Sequence, residues 1–188
     1  MKQTKLAAML AGAAIAALSA MSAYAADGTI TINGTVTDTT CSINGAASGT
    51  PADLAVTLPA VPTGSLATAG AIAGTSNPGD IQFNISGCSG TATKAVAHFE
   101  NSPTVDQASG YLLNQASASP AQNVEVRLLN ASMQPINVVT GANNTLAANG
   151  ATITSGNAAL QYFAQYYATG KAQAGNVNSS VQYTMQYQ

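Results

Sequence analysis

Asp27-Gly28-Thr29-Ile30-Thr31-Ile32-Asn33-Gly34-Thr35-Val36-Thr37, near the start of the chain, alternates strictly between two kinds of residue. Ile30, Ile32 and Val36 share one face with two glycines, and the other face carries threonine and asparagine. A period of two with β-branched residues predicts a strand that buries one face. Glycine weakens a strand unless another group must approach it closely. We therefore predict a strand whose apolar face has a gap where the glycines lie. This strand either completes the fold of its own chain or pairs with another molecule.

The residues ahead of this stretch have the composition of a secretory signal peptide. A positive start with two lysines is followed by an apolar run over residues 6–20 and by Ala23-Tyr24-Ala25, a small-x-small cleavage pattern. A membrane anchor is the alternative, but the apolar run is shorter than the ~20 residues that span a bilayer. We expect cleavage after Ala25, which leaves a mature chain of residues 26–188 outside the cytoplasm.

Charged residues make up only 6% of the chain, and the formal net charge is −2. Because no basic patch is present, nucleic acid is excluded as a partner. The length fits one domain with a real core. The surface must consist mostly of small and uncharged polar residues, and weakly charged surfaces tend to associate. The composition therefore favours an exported domain that assembles or is shielded.

Cys41 and Cys88 are the two cysteines of the chain. In an oxidising compartment a disulfide between them is expected. Closing this loop stabilises a fold by about 4 kcal/mol through chain entropy. A metal pair is the alternative, but His98 is the single histidine and no other ligands accompany the cysteines. We expect neither a metal nor a cofactor.

An enzyme needs a nucleophile, an acid–base pair or a metal cluster. One histidine and scattered carboxylates supply no such set. Glu125 and Arg127 share a predicted strand face, where we expect a solvated ion pair. We therefore do not expect catalysis.

Short alternating segments separated by turn residues continue along the chain, with no long helical period. In residues 79–88, Ile81, Phe83 and Ile85 alternate with polar residues. Many short strands and turns predict an all-β sandwich. The predicted strands are residues 39–43, 54–58, 79–88, 94–101, 110–115, 123–130, 134–140, 160–168 and 176–188.

The last segment, residues 176–188, is the second informative stretch. Its apolar residues share one parity, and its glutamines lie on the other. Chain ends fray unless a sheet holds them, so we expect this strand to be paired. By itself it is equally well explained as the ordinary last strand of a sandwich. Ser179 places a polar group on the apolar face, which marks either a weaker pocket or the end of the strand.

Together these features resemble a type 1 fimbrial major-subunit pilin of the chaperone–usher class, over essentially the whole chain. The resemblance includes the signal peptide, the alternating extension ahead of Cys41, and the strand over residues 81–88 that ends at Cys88. It also includes a C-terminal signature with a glycine fourteenth from the end and a penultimate tyrosine, here Gly175 and Tyr187.

The resemblance implies an incomplete immunoglobulin-like sandwich of six strands that lacks the seventh, with one disulfide. It divides the chain into a signal peptide (1–25), a donor-strand extension (26–38) and a pilin domain (39–188). The implied donor positions are Ile30, Ile32, Gly34 and Val36. The implied chaperone and acceptor strand contains Gly175, Val177, Val181, Tyr183, Met185 and Tyr187.

The function implied by the resemblance is that of a structural subunit of a bacterial fimbria that supports cell adhesion. A periplasmic chaperone would fill the groove first, and at an outer-membrane usher the extension of the next subunit would replace it. Gly34 matches the glycine that the family places at the shallow pocket where exchange begins. The alternatives are a minor or adaptor pilin of the same fibre, and a self-complemented secreted β-sandwich that binds a ligand.

Overall fold

The structure, a computed structural model, describes residues 30–34, 36, 38 and 40–188. The predicted signal peptide, the start of the alternating stretch and its Thr35 and Thr37 lie outside the described residues. No helix in the described part of the chain is long and apolar enough to cross a membrane.

Short strands dominate the described residues, with one 3₁₀ turn at Thr63–Leu66 and one short helix, α1, at Leu146–Asn149. The strands are β1 Ser42–Ile43, β2 Ile72–Ala73, β3 Ile81–Ser86, β4 Lys94–Phe99, β5 Leu112–Leu113, β6 Val124–Leu129, β7 Ala151–Thr152, β8 Ala158–Ala168 and β9 Tyr183–Tyr187. The described residues thus form nine strands where the resemblance implied six, and four of the nine are only two residues long.

Two antiparallel sheets enclose one core. The first sheet has the order β1-β3-β8-β6-β5, with β2 also on β8, and the second has the order β7-β4-β9. In the core, Phe83 of β3 and Phe99 of β4 contact the ring of Tyr162 on β8 edge-to-face. This arrangement confirms the predicted all-β, immunoglobulin-like sandwich.

A disulfide joins Cys41, just ahead of β1, to Cys88, just after β3, which confirms that prediction. It fastens the start of the sandwich to the β3 side of the first sheet, where Ser42 also pairs with Ser86. At the end of β1, Asn44 and Gly45 take the left-handed backbone conformation, with φ of 50° and 82°. These two residues form the turn that ends β1.

Two predicted strands are missing from the structure and others are shorter. Residues 54–58 alternate in sequence but form no strand, and residues 134–140 form only isolated bridges, at Pro135 with Leu129 and at Asn137 with Ala142. β5 keeps two residues of the predicted range 110–115, and the last strand begins at Tyr183 rather than at residue 176. A ladder needs a neighbouring backbone as well as an alternating face. Residues 54–58 have no such neighbour in the described part of the chain.

The predicted ion pair between Glu125 and Arg127 is wrong. The Glu125 carboxylate accepts a 2.9 Å hydrogen bond from the Ser109 hydroxyl, and Arg127 donates to the side-chain oxygen of Gln165 at 2.9 and 2.6 Å. Glu125 is buried, and burial raises the pKa of its carboxyl. Arg127 bonds to its cross-strand neighbour on β8, and Glu125 bonds to Ser109 ahead of β5, so the two side chains do not pair with each other.

Candidate functional site

The last strand, β9, pairs on one side only, with β4. Gln188 exchanges both backbone bonds with Lys94, at 3.1 and 3.0 Å. Because directly bonded residues alternate along an antiparallel pair, the even-numbered residues of β9 direct their backbone groups towards β4. The odd-numbered residues direct theirs to the opposite edge, which forms no ladder with any described residue.

The side chains of this chain end follow the predicted parity. From Val177 to Tyr187 every odd-numbered residue is half-buried and every even-numbered residue is exposed. The ring of Tyr183 packs against Phe83 of the first sheet, with centroids 4.6 Å apart. Burial raises the pKa of Tyr183 and of Tyr187, so both hydroxyls remain protonated at neutral pH.

Ser179 is half-buried on this same face, ahead of β9. Its hydroxyl donates a 2.9 Å hydrogen bond to the Leu113 carbonyl of β5. The polar group is therefore satisfied within the protein, and it lies before the strand begins. This agrees with the expectation that Ser179 marks a strand end.

Opposite β9 lies a segment without regular structure, residues 51–61. Val56 and Leu58 pack against the core, whereas Leu54 is 38% exposed. Among the described residues this segment makes a single hydrogen bond, which the Tyr183 hydroxyl donates to the Ala52 carbonyl over 2.7 Å. Its remaining backbone groups are unpaired within the described chain.

Between this segment and β9 runs an open groove of about 1130 Å³. Its floor is the apolar core of the first sheet, and its two sides carry the unpaired backbone groups of β9 and of residues 51–58. The floor includes Ile81, Phe83, Leu112, Val126, Leu128, Ala164 and Tyr166.

Five of the six predicted acceptor residues line this groove: Val177, Val181, Tyr183, Met185 and Tyr187. Gly175, the sixth, lies outside the lining. A Cβ at Gly175 would stand 2.5 Å from the carbonyl carbon of Pro120 and from the carbonyl oxygen of Ser119. Gly175 therefore permits the last segment to approach the backbone of residues 119–121 closely. The parallel bridge between Pro120 and Asn176 lies next to this contact.

The predicted donor residues are exposed. Ile30, Ile32 and Val36 have exposed fractions of 90%, 88% and 100%. A Cβ at Gly34 would meet no heavy atom within 4 Å. These positions combine large apolar side chains with full access to solvent.

Residues 51–58 are part of the site that the sequence alone does not reveal. The alternation of residues 54–58 predicts a strand, but no signal in one sequence states which element faces it. Within the described residues, no cluster of three or more histidine, cysteine or acidic side chains could hold a metal. The site thus consists of apolar side chains and unpaired backbone.

Comparison with known proteins gives a consistent result. The sequence matches the family described as "Fimbrial protein" over residues 30–188. It is 44% identical over 172 residues to the major fimbrial subunit SMF-1 of Stenotrophomonas maltophilia, covering 89% of this chain and 96% of that protein. It is 38% identical over 178 residues to the F17 fimbrial protein of Escherichia coli, covering 93% of this chain and 94% of that protein.

Among solved structures, the fold resembles that of a Burkholderia pseudomallei antigen and type I fimbria protein. The TM-score is 0.53 at 21% identity, covering 81% of this chain and 97% of the other. At this identity the likeness concerns the fold.

Proposed function

The chain belongs to the fimbrial protein family and is a structural subunit of a chaperone–usher type fimbria, and we propose that it polymerises by donor-strand exchange. The observation that carries this proposal is the unpaired edge of β9 above an apolar groove. Unpaired backbone groups and exposed apolar surface are both unfavourable. One added strand would satisfy the backbone on both sides of the groove and cover its floor.

The donor in this scheme is the N-terminal extension, residues 26–38, of another subunit. Ile30, Ile32 and Val36 are its apolar anchors, and each contributes roughly 1.5–3 kcal/mol when it is fully buried. Gly34 occupies the shallow pocket at which exchange begins, because a larger side chain would not fit beneath the strand. Main-chain bonds supply affinity, and the alternate side chains supply register.

The acceptor is the pilin domain, residues 39–188, of the preceding subunit. Val177, Val181, Tyr183, Met185 and Tyr187 line its groove, and Gly175 fixes where the last segment leaves the body of the domain. Donor and acceptor are different surfaces, so each contact is head-to-tail and does not close on itself. Repeated contacts of this kind generate a filament.

The route to the fibre requires protection of the open groove. We propose that residues 1–25 direct export to the periplasm and are then removed. A periplasmic chaperone covers the groove with one of its own strands, and an outer-membrane usher is the place where the next subunit's extension replaces it. The product is a fimbria at the cell surface that supports adhesion. No enzymatic step belongs to this scheme.

A self-complemented binding module is the competing proposal. It requires Ile30, Ile32 and Val36 to be buried by their own chain, and the isolated mature protein would then be a stable monomer without a chaperone. A minor or adaptor subunit would use the same exchange and differs only in its place and copy number in the fibre.

Deleting residues 26–37 tests the proposal. The variant retains the groove and loses the donor, so we expect a folded subunit that forms no filaments alone. Mixed with the full mature chain it terminates growth, and the filaments become shorter in electron micrographs. Long filaments formed by the purified deletion variant alone would exclude the assignment.

A further inference from the structure

The two sides of the groove are held in very different ways. β9 is anchored by five paired residues of β4. The facing segment, residues 51–61, is held to the described protein by the inward packing of Val56, Leu58 and Val61 and by one hydrogen bond. That bond crosses the groove, because both Ala52 and Tyr183 line it.

Tyr183 is itself well placed to carry this contact. Its backbone pairs in register with Phe99 of β4, and its ring packs on Phe83 of the opposite sheet. The hydroxyl then reaches the Ala52 carbonyl at 2.7 Å. Two packed elements therefore fix the Tyr183 hydroxyl, which donates the hydrogen bond. The Ala52 carbonyl, which accepts it, belongs to a segment that forms no ladder with any described residue.

An inserted strand requires a fixed spacing between its two neighbours. A strand between two neighbours separates them by two interstrand spacings, about 9.5 Å. An extended tyrosine side chain with its hydrogen bond bridges a gap of this kind while the backbone edge of β9 stays free. The ring itself packs on Phe83, which belongs to the floor of the groove.

We propose that Tyr183 is a positioning residue for donor-strand exchange, which holds residues 52–58 at the distance where one added strand fits between them and β9. The inference rests on the proposed function and adds a pre-organised second side to the groove. An ordered acceptor binds faster and more tightly, because less conformational freedom is lost on association. In the opposite role, Tyr183 would keep a donor strand out of the groove, and its hydrogen bond to Ala52 would have to break when the strand enters.

Tyr183→Phe separates these roles, because it keeps the ring against Phe83 and removes only the hydroxyl. The matched control is Tyr111→Phe, since Tyr111 packs on Tyr167 outside the groove. Backbone ¹⁵N order parameters are measured for each protein in the variant that lacks residues 26–37, so that no extension occupies the groove. We expect residues 52–58 to be rigid, near ~0.85, in the wild type and the control, and to fall below ~0.6 in Tyr183→Phe. Unchanged values for β3 and β8 will show that the variant is folded.

The second measurement is the rate at which each protein captures a synthetic peptide of residues 26–38. We expect Tyr183→Phe to capture it about fivefold more slowly, the effect of one lost hydrogen bond, and Tyr111→Phe to match the wild type. Unchanged order parameters in residues 52–58, or capture at an equal or faster rate, would overturn the positioning role. Failure of the wild type to capture the peptide would instead refute donor-strand exchange itself, so the two failures are distinguishable.

Discussion

Gly34 has no heavy atom within 4 Å of the place where a Cβ would stand, so a side chain added there leaves the subunit's own packing intact. We expect Gly34→Leu to fold and to show the same thermal unfolding as the wild type. Assembly is expected to fail, because the larger side chain does not fit the shallow pocket of the acceptor. Electron microscopy of cells that express the variant measures the outcome.

The matched control for this prediction is Asn33→Leu. It adds the same side chain one residue away, on the opposite face of the alternating stretch, where successive strand side chains point away from each other. We expect this variant to assemble. Normal fibres from Gly34→Leu would show that position 34 does not lie against the acceptor.

Tyr162 gives a prediction about alkaline stability. Its hydroxyl accepts from the Ala97 N–H and donates to Asn144, both at 3.2 Å. Burial raises the pKa of Tyr162 to about 12. Because the pKa of Tyr162 in the folded protein lies above the ordinary value, the protonated hydroxyl contributes its full stabilisation of the fold below pH about 10. That contribution is lost as the pH rises towards about 12. The loss approaches about 1.4 kcal/mol per pH unit.

Urea unfolding across this alkaline range, with Tyr162→Phe as the reference, isolates the effect from the other tyrosines. The variant is expected to be less stable at neutral pH by about 1–3 kcal/mol, because it leaves buried polar partners unsatisfied. Its stability should then fall less steeply than that of the wild type above pH about 10. Parallel curves for the two proteins would contradict the role of this hydroxyl.

Single residues show where sequence information is insufficient. Ser179 bonds to Leu113, and Arg127 bonds to Gln165, and each partner is distant in sequence. Residue types and spacing predicted which face these side chains occupy. They could not identify the partner, because that depends on how the elements pack.

At the scale of elements, alternation predicted the long strands well. β3, β4, β6 and β8 lie within their predicted ranges or extend them by a few residues, because a period of two records which face is buried. The same pattern over residues 54–58 predicted a strand that the structure lacks. Alternation reports a buried face but not a neighbour, and a strand requires both.

This difference is informative about the site. Residues 54–58 and the free edge of β9 face each other across the groove, and each lacks a ladder on that side among the described residues. On the proposed function, residues 54–58 become a regular strand, and β9 gains a second neighbour, when a donor lies between them. The apparent error in the sequence prediction is then explained by a missing third strand.

At the scale of the whole molecule, the sandwich was predictable from composition and periodicity, whereas the incompleteness was not. The resemblance to pilins supplied the expectation of a missing strand. The structure adds the geometry, which is a groove of about 1130 Å³ with an apolar floor and with unpaired backbone groups on its two sides. On the proposed function, a strand from another subunit completes the sandwich, which suits a protein with few charges and a role in a fimbria.

The central claim is that one strand of another subunit pairs with both sides of this groove, and amide hydrogen exchange tests it most directly. The variant that lacks residues 26–37 is labelled with and without a peptide of residues 26–38. We predict that the peptide protects the amides of Tyr183, Met185 and Tyr187 together with those of residues 52–58. Peptide binding that leaves both sets of amides exchanging freely would contradict the account.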